Sequence, residues 1–304
     1  ASLIYSLARV IADLIGARLV CLTEGANCVG AWIAGAVPHR GAGGEALEKS
    51  GLHVQEMLAK KLKAYVLLNI EPEYDCANSH LSLQAMGKAD FVVALSPYKA
   101  KGFMYYADVI LPIGTFAENE GTYLNFEGRP QSFVAAVKPQ AESRPAWKVF
   151  RVLGNQFQLE GFNYDTAAQV YNEVYELARA MLAKSGQLGQ VLYWPQHLKL
   201  PTYPITRITE WPIYAVDSVV RRSIALQEAA TNDPVAVYLN QNLADKLGLL
   251  QSQNIVKVVQ GDTEGYLPVV ISARIPDNCV LIHAAREETL EFAETFGPIE
   301  IHAR

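Results

Sequence analysis

The sequence predicts an α/β protein: a lobe built on a parallel sheet, followed by a small β-barrel. Three observations predict it. Apolar runs of strand length alternate with helical repeats from residue 1 to about residue 190, the pattern of a parallel sheet with helices on its faces. Between residues 187 and 212 the chain carries Pro195, Pro201, Pro204 and Pro212, which rule out a long helix and mark a stiff link. From Pro234 the texture changes to short strands separated by turns, the spacing of a small barrel. The division is therefore residues 1–190 for the α/β lobe, 191–233 for the Pro-rich link and a following helix, and 234–304 for the barrel.

Composition narrows the functional classes. The chain has 304 residues, half of them hydrophobic and 19% charged, enough apolar surface for sizeable cores in two domains. Its net charge is −5 and no basic block is long enough to follow a phosphate backbone, so nucleic acid is not an expected partner. The longest apolar region, Leu3 to Leu22, is broken by Arg9, Asp13, Gly16 and Arg18. It falls short of the roughly 18–20 clean residues that a membrane span needs, so no membrane insertion is expected. The chain starts at Ala1 with a helix already under way, which reads as a piece cut from a longer protein. Cys21, Cys28, Cys76 and Cys279 form no Cys-x-x-Cys pair, and His39, His53, His80, His197, His283 and His302 are scattered. Free thiols in a reducing compartment are the expected reading, with no local metal site.

In chain order, Leu3, Leu7, Val10, Ile11 and Ile15 repeat at helical spacing before Gly16, and a strand is expected over Arg18–Leu22. Gly25-Ala26-Asn27-Cys28-Val29-Gly30 then forms a strand-to-helix connection. Residues 38–50, rich in Gly, read as a mobile surface loop. A helix over 52–62 leads to a strand over 64–70. The loop after that strand is Glu71-Pro72-Glu73-Tyr74-Asp75, at the end of a parallel sheet where ligands bind. Its three carboxylates repel an approaching phosphate, and no Lys or Arg within the loop offsets them. Helix and strand follow over 81–87 and 90–95, then a short helix over 98–105.

The organising stretch is Tyr106–Gln131. A buried strand over Val109–Leu111 stops at Pro112 and opens into a loop with Gly114, Gly121 and Gly128, where Glu127 and Arg129 are close enough to pair. A further strand is expected over 133–137, a helix after Pro145, and a helix over 167–182 with Val170, Val174, Leu177 and Met181 as a core stripe. After the link, a helix is expected from Ala215 to Gln227, with an Asp217–Arg221 pair and Arg221-Arg222 on a solvated face or in a local salt bridge. Strands are expected over 235–239, 255–259, 266–271, 280–283 and 299–302, with helices over 241–247 and 286–296 and a turn over 261–265.

The pattern Ala107-Asp108-Val109-Ile110-Leu111-Pro112, Glu118, Glu120-Gly121-Thr122 and Asn125-Phe126-Glu127-Gly128-Arg129 resembles the molybdopterin oxidoreductase superfamily. Gly25-Ala26-Asn27-x-x-Gly30 resembles a stretch of the same superfamily, and the order Asn240-x-x-x-Ala244-x-x-x-Gly248 to Ile275-Pro276 resembles its C-terminal, dinucleotide-covering barrel. Within the superfamily, Tyr214-x-x-Asp217-x-x-Val220-Arg221-Arg222 before Leu226-Gln227 resembles the large iron–sulfur subunit of NADH-quinone oxidoreductase, respiratory complex I.

That resemblance implies a C-terminal structural and assembly region, free of cofactor. The iron–sulfur clusters would lie in a preceding part of the parent chain, and the partners would be the other peripheral-arm subunits. The complex passes electrons from NADH through iron–sulfur clusters to quinone and pumps protons, on the cytoplasmic side of the bacterial inner membrane. The alternative is a piece of a working molybdopterin-dependent oxidoreductase, formate dehydrogenase-like, binding a molybdopterin guanine dinucleotide. Members that hold molybdopterin usually present a less acidic loop than Glu71–Asp75. No catalytic, cofactor-binding or metal residue is assigned from the sequence, and the piece itself is not expected to catalyse a reaction.

Overall fold

The computed structural model describes residues 2–20, 22–23, 25–182, 202–229, 231–249, 255–292 and 294–303. The helices are α1 (Ser2–Ile15), α2 (Cys28–Ile33), α3 (Val54–Lys60), α4 (Pro72–Asp75), α5 (Ser79–Gly87), α6 (Phe103–Tyr106), α7 (Ala146–Gln156), α8 (Ala167–Leu182), α9 (Ile224–Gln227) and α10 (Gln241–Lys246). The strands are β1 (Ala64–Leu68), β2 (Phe91–Ser96), β3 (Val109–Pro112), β4 (Gly121–Leu124), β5 (Pro130–Phe133), β6 (Thr206–Ile208), β7 (Val237–Leu239), β8 (Ile255–Gln260), β9 (Thr263–Ile271), β10 (Cys279–Leu281), β11 (Gly297–Pro298) and β12 (Glu300–Ala303). The chain divides into two compact units. One comprises residues 1–56 and 112–200, the other residues 57–111 and 201–304.

In the first unit, α1 ends where Gly16 takes φ +67° and Ala17 N–H donates to Ala12 O. Ser6 and Ala12 are buried while Ile4, Leu14 and Ile15 face solvent, so the expected apolar stripe is not the packed side. The strand expected over 18–22 does not form at residues 18–20 and 22, because a strand needs a pairing partner and no described strand lies beside it. Cys21 falls outside the described residues. The stretch 38–50, expected to be a mobile loop, is instead a folded clip. Arg40 and Ala46 form an antiparallel bridge, and Gly43, at φ +77°, presses so close to α8 that a Cβ there would lie 2.8 Å from Leu177 Cβ.

Ile33, Leu124 and Ala178 make the small core, with Val29, Trp32 and Val174 around it. The organising stretch forms the β4–β5 hairpin, so the strand expected over 133–137 lies earlier, at 130–133. Asn125 Oδ1 accepts from both Glu127 N–H and Arg129 N–H. A side-chain turn, rather than a Glu127–Arg129 ion pair, thus shapes the loop. In α8, the side chain of Met181 lies outside the described residues, as do Trp194, Pro195 and Pro201 of the link.

In the second unit, β1 and β2 pair in parallel, from Ala64 opposite Phe91 to Leu68 opposite Leu95, and β3 lies beyond β2. Leu58 of α3, Ala85 and Met86 of α5 and Phe103 of α6 cover one face with Tyr65, Leu67, Val92 and Ala94. Val66, Leu68 and Phe91 alternate onto the other face and are exposed, so the expectation of helices on both faces holds on one. Val109, at the start of β3, is also exposed rather than buried.

The remainder of this unit is a seven-stranded, nearly closed sheet in the order β11-β6-β10-β7-β9-β8-β12. Its two edge strands are consecutive in sequence, separated by Ile299 alone, and Ile299 N–H donates to Ile205 O. One short segment therefore lies along both margins of the sheet and curls it into a barrel-like shape. Val237, Leu239, Val256, Val258, Val280 and Ile282 fill it. β6 lies in the stretch read as a link and was not foreseen as a strand. It carries Arg207, 2% exposed, whose Nη1 donates to Gln260 Oε1 at 2.8 Å and Glu294 O at 2.7 Å. Burial lowers the Arg207 pKa to about 10. The helix expected over 286–296 shrinks to a 3-10 turn, Glu287–Thr289, because the chain must swing Phe292 into the barrel core and Glu294 O onto Arg207.

Candidate functional site: the strand-end cleft

A concavity of the second unit, about 480 Å³, lies beyond the carboxyl ends of β1 and β2, the position where open parallel sheets bind ligands. The chain leaves β1 through Asn69, in the left-handed region at φ +51°, with Asn69 N–H donating to Leu95 O. Glu71 N–H then donates to Asp75 Oδ2 at 2.7 Å, and Pro72 opens the single turn α4. The acidic stretch is thus a folded knuckle, not a solvated loop: Glu71 is 4% and Glu73 2% exposed.

What the sequence could not supply is the countercharge, which comes from residues 215–227. The helix expected there is only a 3-10 turn, Val220–Arg222, followed by α9. The expected Asp217–Arg221 pair is absent, since Asp217 Oδ1 accepts from Val219 and Val220 N–H. Arg221 reaches instead to Asp75 Oδ1, 3.0 Å from both terminal nitrogens, and lies 3.8 Å from Glu71 Oε2. Arg222 Nη1 stands 2.8 Å from Glu71 Oε1. Their guanidinium carbons sit 5.0 Å over the Tyr74 ring and 4.4 Å over Tyr98, contacts that hold cations in place. No cation lies within the loop itself, but Arg221, 146 positions along the chain from Asp75, offsets its charge from outside. Proximity in space is invisible to local spacing.

The third carboxylate is handled differently. Tyr106 OH donates to Glu73 Oε2 at 2.7 Å, and Gly102 leaves the room, since a Cβ there would lie 2.0 Å from Glu73 Oε1. Burial raises the Glu73 pKa, which the Tyr106 hydrogen bond partly offsets, and burial likewise raises that of Tyr106. On the other wall, Arg286 Nη1 donates to Gln227 Oε1 at 3.3 Å and Nη2 to Asn232, while Lys101 pairs with Glu287.

The motif residues between 25 and 30 and between 112 and 129 sit in the first unit, and the two stretches meet. Asn27 Oδ1 accepts from Leu124 N–H at 2.8 Å, joining the start of α2 to the hairpin. Gly30 makes that possible, because a Cβ on it would stand 2.1 Å from Asn27 Oδ1. The Gly-Ala-Asn-x-x-Gly pattern therefore has a packing role here. Glu118 closes a capping box with Thr115, and its hydrogen bond from Thr115 N–H holds its carboxyl below the ordinary range. Cys28 is exposed, and Cys76 and Cys279 are half-buried. Among the described residues no group of three or more His, Cys, Asp or Glu is placed to hold a metal ion, and no helix is long and apolar enough to cross a membrane.

A parallel three-stranded sheet with its strand-end cleft and a barrel-like sheet define the class, a mixed α/β fold. Residues 12–156 match the model of the molybdopterin oxidoreductase family, and this segment is a domain of that family. The assimilatory nitrate reductase catalytic subunit of Bacillus subtilis (strain 168) is 29% identical over 142 residues, 45% of this chain and 20% of that protein. The F420-dependent formate dehydrogenase 1 subunit alpha of Methanococcus maripaludis is 29% identical over 153 residues, 48% of this chain and 22% of that protein. Acetylene hydratase from Pelobacter acetylenicus shares the fold with a TM-score of 0.56 at 17% identity, over 83% of this chain and 42% of its own. The matches to the first two thus span about a fifth of each relative's length.

The residues of the cleft, as arranged, do not fit the phosphates of a pterin dinucleotide. Arg221 and Arg222 are engaged by Asp75 and Glu71, and a phosphate would have to displace carboxylates already desolvated against their partners.

Proposed function

We propose that this chain is one segment of the large subunit of an oxidoreductase of the molybdopterin family, and that the segment serves as scaffold. The observation that carries the scaffold reading is the self-neutralised cleft: the two cations facing the strand ends already hold two carboxylates of the same unit. In this reading no side chain of the segment touches a reacting atom.

For the parent protein, the names of the relatives support a formate dehydrogenase-like or nitrate reductase-like enzyme, with its cofactor chemistry carried largely by the rest of the chain. A second reading, the large iron–sulfur subunit of respiratory complex I, is supported by the self-neutralised cleft and by the resemblance of Tyr214–Gln227, which holds the arginines that neutralise it. On that reading the segment sits in the peripheral arm, at the cytoplasmic face of a bacterial membrane, against neighbouring subunits.

Elemental analysis and pterin fluorescence of the full-length parent from its own host separate the two. Near-stoichiometric molybdenum or tungsten with pterin supports the first reading of the parent protein and counts against the scaffold role of this segment. Iron and sulfide without either metal or pterin establish the second.

A further inference from the structure

We propose that the barrel-like sheet encloses a site for one small monovalent anion of the halide class, held by Arg207 and Gln260. Arg207, on β6, is 2% exposed and Gln260, at the end of β8, 4%. A buried cation is costly unless an opposite charge or a full set of hydrogen bonds meets it. Arg207 has neither among the described residues. Both of its hydrogen bonds to them leave from Nη1 and end on neutral oxygens, Gln260 Oε1 at 2.8 Å and Glu294 O at 2.7 Å. The Glu294 side chain is itself exposed. The Phe292 ring, 5.6 Å from the guanidinium carbon, offers only the weaker attraction of an aromatic face. Burial is the cause of the lowered Arg207 pKa, with no carboxylate acting against it, and at about 10 the group is still charged at neutral pH.

Two donors stay open beside this charge. Arg207 Nε and Gln260 Nε2 are buried without a hydrogen-bond partner. Gln260 Oε1 also accepts from Glu294 N–H at 3.4 Å, so the amide is fixed with its oxygen engaged and its nitrogen left over. Buried donors left unpaired are costly, and an anion answers the charge and the donors together. The class follows from the charge count and the surroundings. One cation balances one negative charge, whereas a phosphate or sulfate would carry a second into an interior filled by Val256, Val258 and Val280. A halide is spherical and accepts N–H groups from any direction, which suits single donors on two different side chains. The route in is the seam of the sheet, where a concavity of about 440 Å³ is lined by Ile205, Val259, Gly261 and Pro298. Val259 and Gly261 stand on either side of Gln260, and Ile205 and Pro298 are close in the chain to Arg207 and its strand partner Gly297. Glu300 also lines this opening and repels anions there, which slows entry without touching the interior donors. The proposal stands whichever parent protein the chain belongs to.

The test is thermal melting of the full chain while sodium chloride replaces sodium gluconate, whose anion is too bulky to enter, at constant ionic strength so that screening is unchanged. Each ten-fold rise in chloride above its dissociation constant should raise the Tm of the native chain by about 3–6 °C. Equal melting in the two salts overturns the proposal, and means that a neutral group such as water meets the donors. Gln260→Glu is isosteric and places a carboxylate beside Arg207, so it should melt higher than native in gluconate and lose the chloride dependence. Arg207→Met removes the charge that calls for an anion and should lose the dependence too. A chloride dependence that survives in either variant shows that the ion binds elsewhere and overturns the assignment. If a variant fails to fold, the protected Arg207 Nε–H resonance of the native chain decides. It should shift along the same chloride titration, and a resonance that does not move overturns the site.

Discussion

Removing the Arg221 guanidinium takes away both hydrogen bonds to Asp75 Oδ1 and the bond to Ala215 O. Arg222 remains 2.8 Å from Glu71, so Glu71, with its side chain 5% exposed, keeps one partner. Breaking a buried pair from one side costs about 3–5 kcal/mol. With Glu71 still held and Asp75 24% exposed, Arg221→Ala should sit at the low end, about 3 kcal/mol. Lysine lacks the fork, so Arg221→Lys should recover only part of this, leaving a loss of about 1–2 kcal/mol. Urea denaturation followed by circular dichroism measures these values. In a unit of this size, 3 kcal/mol corresponds to a fall of about 6–12 °C in Tm. The deciding number is the coupling in an Arg221→Ala, Asp75→Ala double-mutant cycle, expected at about 1–3 kcal/mol. Strictly additive single effects, or an Arg221→Ala loss below 1 kcal/mol, would refute the claim that a buried ionic cluster pins this segment.

Glu73 gives a pH signature. Its folded pKa is raised above the ordinary 4.5 by burial, so its contribution is fully present below that value and is lost as pH rises through the folded pKa. Relative to native, Glu73→Gln should therefore gain stability on going from pH 4 to pH 8, as chemical denaturation at the two pH values will show. Tyr106→Phe leaves the Glu73 carboxyl without its hydroxyl donor and should cost about 1–3 kcal/mol, read by the same denaturation. Gly43→Ala combines a left-handed φ with a contact of 2.8 Å to Leu177 and should cost about 2–3 kcal/mol, detectable as earlier hydrogen exchange along α8. Gly30→Ala should push Asn27 off Leu124 N–H. Its cost should match that of Asn27→Ala, about 1 kcal/mol, and the two changes together should cost little more than either alone.

Most elements whose identity rests on local periodicity were legible in the sequence. β1, β2, α5 and α7 fall within a few residues of expectation, and so do β7, β8, β9, β10 and β12, because alternation and helical spacing are recorded in the residues themselves; β11 was not expected. The errors share one cause. Arg18–Leu22 has strand composition but finds no partner, 215–227 has helical spacing but is drawn apart by Arg221 and Arg222 reaching Asp75 and Glu71, and Thr206–Ile208 looks like link until β10 and β11 pair with it. The strand-end cleft was located from its position after β1, yet its electrostatics were misread, since the sequence shows three carboxylates and hides the two guanidinium groups that answer Glu71 and Asp75 and the Tyr106 hydroxyl that meets Glu73. The opposite misreading applies to Gly30, where a glycine suggestive of a ligand loop makes room for an asparagine.

The barrel's two margins are completed by one run, residues 297–303, with β11 on β6 and β12 on β8. A growing chain would hold every other strand of this sheet before that run leaves the ribosome, and until then β6 and β8 would expose unpaired backbone. Completion of both margins of the sheet thus waits on this one run. A translational stall or a nick just before Gly297 would leave a nearly complete sheet with two adhesive borders, and a chaperone would meet this intermediate rather than an unfolded chain.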